Sequence, residues 1–68
     1  MKRFNVKKGI HCRNKSIDAF LDEVLAVCKK YGYSISHEDR HGAFEIEDYN
    51  FDLHRWLKVA HDRTSGVK

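Results

Sequence analysis

Paired cysteines are missing from this chain. Its two cysteines, Cys12 and Cys28, stand far apart, and neither has a CxxC partner. Structural zinc sites need several Cys or His ligands in paired short spacings, so none is expected. There is no P-loop, GxGxxG, GxSxG or HExxH, which removes the common signatures of nucleotide, hydrolase and metalloprotease chemistry. No apolar run approaches the roughly eighteen residues of a membrane span, and no apolar segment follows Met1-Lys2-Arg3. The expected setting is therefore intracellular, with reduced thiols and no membrane partner. Acid is missing too, but only locally. Residues 1–15 carry Lys2, Arg3, Lys7, Lys8, Arg13 and Lys15 with no carboxylate, whereas residues 37–52 carry Glu38, Asp39, Glu45, Glu47, Asp48 and Asp52 against Arg40 alone. The net charge of +3 hides this division.

With 68 residues there is room for one domain, expected over residues 1–64, with 65–68 as a flexible tail. A chain of this size buries only about 60% of its unfolded surface and is marginal alone, so a homo-oligomer is expected.

The clearest element is a helix over 16–31. Ile17, Phe20, Leu21, Val24, Leu25, Cys28 and Tyr31 form one stripe. Ser16 is the expected N-cap, Asp18 complements the first turn and Gly32 the C-terminus. Before it, Phe4, Val6, Ile10 and Cys12 alternate with Arg3, Asn5, Lys7, His11 and Arg13, predicting one strand over 3–12, bent or bulged at Gly9. Tyr33, Ile35 and His37, then Phe44 and Ile46, predict hairpin strands over 33–38 and 43–48, joined by Asp39-Arg40-His41-Gly42. In that register His37 faces Phe44 and Ile35 faces Ile46. Asn50 caps a last helix over 51–63 whose inward stripe is Leu53, Trp56, Leu57 and Ala60. The order β-α-β-β-α predicts an α+β fold: a three-stranded sheet with two helices on one face. Leu21, Phe44 and Trp56 would be core residues. Asn5, Lys7, His11, Arg13, Ser34, Ser36, Glu45 and Glu47 would line the open polar face.

The stretch Ser36-His-Glu-Asp-Arg-His-Gly-Ala-Phe44 is denser in chemistry than a turn requires. His37 would be a half-buried ring that orders the loop. Arg40 and His41 supply cationic donors suited to phosphate or carboxylate, and Glu38 and Asp39 hold those donors or accept from a partner. A metal site on His37, Asp39 and His41 is weakened by side chains that point three ways. Cys12 has only His11 and Arg13 beside it, both directed away in a strand, so no nucleophile is evident and no enzyme is expected.

The run "CKKYGYSISHEDRHGAFEIEDYN", with the later "WLKVA", resembles a group of short, uncharacterised proteins encoded by tailed bacteriophages and prophages. The likeness spans about Ile17 to Ala60 and excludes the basic first strand. It implies a non-catalytic accessory protein in the host cytoplasm that binds and inhibits a host protein, such as a defence protein, or sequesters a small anionic nucleotide-type ligand. No cofactor is implied. The binding residues would be His37, Glu38, Asp39, Arg40 and His41, with Lys7, His11 and Arg13 on the open face. The alternatives are a nucleic-acid-binding protein using Lys7, His11, Arg13 and Lys15, and a small metal-dependent hydrolase using His37, His41 and the nearby acids.

Overall fold

The computed structural model describes residues 1–65; most of the expected tail, 66–68, lies outside them. The fold is α+β with two helices, but the expected three-stranded sheet is two separate two-stranded antiparallel sheets. The chain runs β1 (Lys2–Asn5), β2 (Ile10–Arg13), α1 (Lys15–Tyr31), β3 (Tyr33–His37), β4 (Phe44–Asp48) and α2 (Phe51–Lys58).

The single strand expected over 3–12 is instead a hairpin. Asn5 closes its turn, with its carbonyl accepting from Gly9 N at 2.8 Å and its side chain from Lys8 N at 2.8 Å. Gly9 sits at φ +71°, where a side chain would be strained. Arg3 pairs with Cys12 and Phe4 with His11. The expected parity is inverted as a result. Arg3 and Asn5 are buried, while Ile10 is exposed.

These inward polar groups tie the ends of the chain together. Arg3, its side chain only 1% exposed, donates to Asp18 Oδ1 at 2.6 Å and to the carbonyls of Lys58 and Ala60 at 3.1 and 3.0 Å. A guanidinium on the last carbonyls of α2 is a C-terminal cap with the favourable sign for the helix dipole. Helix α2 ends at Lys58 instead of running to 63, with the Arg3 bonds to Lys58 O and, just beyond the helix, Ala60 O at that end. The chain beyond it turns back along β1, where Asp62 N donates to Phe4 O at 2.9 Å and Val6 N to Asp62 O at 2.8 Å. The Asp62 carboxylate accepts from Asn14 Nδ2, Thr64 N and Thr64 Oγ1.

Helix α1 starts one residue before the expected boundary. Its N-cap is Asn14, not Ser16, and the Asn14 side chain accepts from Ile17 N at 3.2 Å. Gly32 closes it, donating to Cys28 O and Lys29 O. Asn50 caps α2 by accepting from Asp52 N and Leu53 N. Both helices pack on β3 and on each other, whereas the β4 backbone lies against β3 alone and the first hairpin, β1 and β2, reaches the helices through the Arg3 side chain. The buried apolar residues are Leu21 and Leu25, joined by Arg3, Asn5, Ser34, Ser36 and Asp62. No helix among the described residues is long and apolar enough to cross a membrane.

Candidate functional site

The second hairpin has the expected register: His37 faces Phe44, Ile35 faces Ile46, and Tyr33 faces Asp48. Glu38 N donates to Ala43 O at 2.8 Å and Gly42 N to Glu38 O at 3.0 Å, which closes the loop Asp39-Arg40-His41-Gly42. Gly42 takes φ +72°, the left-handed value that favours glycine at this corner.

The loop is ordered mainly by Glu38, the role expected of His37. Its carboxylate turns back under the tip and accepts from Arg40 N and His41 N, each at 2.6 Å. Those two amides, His41's first, lower the Glu38 carboxyl below its ordinary range. Glu38 Oε2, which accepts from His41 N, also lies 3.2 Å from His41 Nδ1, and His37 Nδ1 lies 3.5 Å from Asp39 Oδ1. These are two separate pairs. Among the described residues no three His, Cys, Asp or Glu side chains form a metal-binding group. His37 packs edge-on to Phe44 with centroids 5.8 Å apart, while Asp39, Arg40 and His41 stand in solvent. The tip thus offers donors and acceptors on a fixed backbone with no walls around them.

The apolar face beside the tip was expected to be core. It is exposed: Phe44 is 78% and Ile46 65% accessible, because no helix reaches β4. Ser34 and Ser36 of the opposite parity are the buried residues. Ser34 Oγ accepts from Asn50 N at 2.8 Å, and Ser36 Oγ donates to Glu47 at 2.6 Å.

Among the described residues the outer edge of β4 is unpaired. Hydrogen bonds at Glu38–Ala43 and from Tyr49 N to Gly32 O fix the alternation of the ladder. Ser36–Glu45 and Ser34–Glu47 are then the pairs bonded to β3, and the amides of Phe44, Ile46 and Asp48 point outward. Neither this free edge nor the exposure of Phe44 was read from the sequence. The alternation of apolar and acidic residues in Phe44-Glu-Ile-Glu was its only local signal.

Lys7, His11 and Arg13 lie elsewhere, on the first hairpin, which has no contact with the second. Lys7 is in the turn, and Lys2, Phe4, His11 and Arg13 share one face by cross-strand pairing. Phe4 lies between the rings of His11 and His61, each centroid at 5.4 Å. The structure therefore separates the expected site residues into two surfaces. Comparison with protein-family models, with curated proteins and with solved structures found no match.

Three carboxylates share one pH signature. Asp18 is lowered by the Arg3 guanidinium and then by the N-terminal ammonium, Asp62 by the Thr64 hydroxyl and amide, and Glu38 by its two amides. A carboxyl lower in the folded state contributes stability above its unfolded value and loses it as pH falls through the folded value. Through these three carboxyls, melting temperature should fall as pH drops below about 4. The Arg40 and His41 amide resonances should move together in that acid range. In Glu38→Gln that coupled movement should vanish; its persistence would remove Glu38 from the loop's control.

Proposed function

We propose that this is a non-catalytic binding module, a small phage accessory protein that works in the host cytoplasm by occupying the surface of a host protein. The observation that carries this reading is the second hairpin. The β4 backbone lies against β3 alone, so Phe44, Ile46 and a free strand edge face solvent beside a tip ordered by Glu38. An exposed edge is a liability unless it is guarded or used. Here the acids guard it against its own copy, since antiparallel self-pairing about Ile46 would oppose Glu45 to Glu47. They also specify the partner: an extended segment with apolar side chains over Phe44 and Ile46 and basic ones over Glu45 and Glu47. The openness of the tip favours a protein surface over a small anionic ligand, which needs enclosure.

Arg40 and His41 would fix the register of docking through charge-assisted hydrogen bonds to acceptors on the partner. The test is capture from bacterial lysate with the wild type and with Arg40→Ala/His41→Ala. The wild type should retain a specific protein, and the double variant, equally folded by circular dichroism, should lose it. Equal retention of the same protein would reduce the tip to a charged turn.

A second reading rests on the other hairpin, where Lys2, Phe4, His11 and Arg13 share a face next to Lys7. Cations around an aromatic ring suit single-stranded nucleic acid. In the same experiment, nucleic acid recovered by both proteins and released steeply by salt would favour this reading.

A further inference from the structure

The molecule exposes more surface than a folded monomer of its mass should. Its accessible area is 5461 Å², against about 4,450 Å² from the scaling of monomeric proteins at 8.0 kDa. The radius of gyration, 12.9 Å, likewise exceeds the roughly 10.9 Å of a compact chain this long. The excess, about 1,000 Å², is close to the roughly 800 Å² that each partner contributes to a stable interface. With only Leu21 and Leu25 as buried apolar residues among those described, the covering surface must be present whenever the chain is folded. A second copy of the same chain meets that condition.

The surface that fits a second copy is α2. Phe51, Trp56 and Val59 are exposed and line one open groove with Asp52, Arg55 and Lys58. The groove continues past Ala60 and His61 to Ile17 and Phe20 on α1. That extension matters, because an eight-residue helix spans only about 12 Å. Its charges are arranged end to end, with acid Asp52 in the first turn and basic Arg55 and Lys58 in the last. A twofold axis running two such helices antiparallel sets Asp52 of each copy against Lys58 of the other, with Phe51 near Val59. Such an isologous surface is self-complementary at its ends, while Arg55, which falls on the axis opposite its own copy, lies over the Phe51 ring of its own chain at 6.0 Å. Strand β4 is not self-complementary, since its acids oppose self-pairing.

We propose that the protein is a twofold dimer joined by antiparallel packing of α2, its apolar groove continuing onto α1 and its ends keyed by Asp52 and Lys58. The two β4 edges stay free, so each dimer presents two copies of the docking hairpin. The dimer does not depend on what the hairpin binds.

Sedimentation equilibrium at low salt tests this. The wild type should have twice the chain mass at about 10 µM, within the range of small homodimers. Val59→Glu should be monomeric while keeping its helical circular dichroism. Asp52→Lys and Lys58→Asp should each weaken self-association by about tenfold through like-charge contacts. Mixed in equal amounts, these two should associate as strongly as the wild type, because each supplies the charge that the other lacks. A purely structural role for either residue would not produce that rescue. A monomeric wild type, a Val59→Glu protein that still dimerises, or a mixture no stronger than its components would each overturn the proposal. Dimerisation by Arg40→Ala/His41→Ala is expected to equal that of the wild type.

Discussion

Replacing Arg3 with alanine is expected to remove about 3 kcal/mol of folding stability, the loss that follows when one partner of a buried ion pair is deleted. For a domain this small, that is a third or more of the total. The side chain is almost wholly buried and joins β1 to both helices at once. One nitrogen holds Asp18 at 2.6 Å in the first turn of α1, and the other caps the Lys58 and Ala60 carbonyls where α2 ends. Without it, Asp18 keeps only the N-terminal ammonium as a cationic partner among the described residues, two carbonyls lose their donor, and a cavity opens beneath β1. Arg3→Lys keeps the charge but not the fork, since one ammonium cannot reach a carboxylate and two carbonyls in that geometry. It should recover part of the loss. Urea denaturation followed by circular dichroism reads all three proteins, and an Arg3→Ala midpoint equal to that of the wild type would refute the clamp.

The apolar positions should divide sharply. Leu21→Ala is expected to cost about 3 kcal/mol, through lost transfer energy and the cavity left between the packed elements. Phe44→Ala should change stability by less than about 0.5 kcal/mol, because the ring is already in solvent. From the sequence alone both belong to the core and would cost the same. Equal costs in the same denaturation experiment would mean that Phe44 is covered within its own chain. The inequality is what marks Phe44 as a residue available for binding.

These two pairs show which links between sequence and structure are readable. Helix α1 and its closing Gly32, the Asn50 cap of α2 and the register of the second hairpin all follow from patterns spanning a few residues, where local chemistry decides. The first hairpin was missed because Gly9 was read as a bend, although Asn5 and Gly9 together carry the chemistry of a tight turn. That single turn inverts the parity of Arg3 and Asn5, and with it come the Arg3 bonds at the end of α2 and the return of Asp62 to β1. The exposure of Phe44 and Ile46 was beyond a local pattern. It depends on how many strands the helices cover, and alternation reports which residues share a face without saying which face is dry. The residues His37 to His41 were readable as a group, whereas the part played by Glu38 depends on a carboxylate folding back onto two amides of its own loop.

Residue-resolved amide exchange on the complex with the captured host protein tests most directly whether the second hairpin is the docking surface. The amides of Phe44, Ile46 and Asp48, which point away from β3, should slow by at least about tenfold when the partner adds a strand to that edge. Those of Glu45 and Glu47, already bonded within the hairpin, should change little. If the partner binds while Phe44, Ile46 and Asp48 exchange at their free rates, the docking surface lies elsewhere and the account is contradicted.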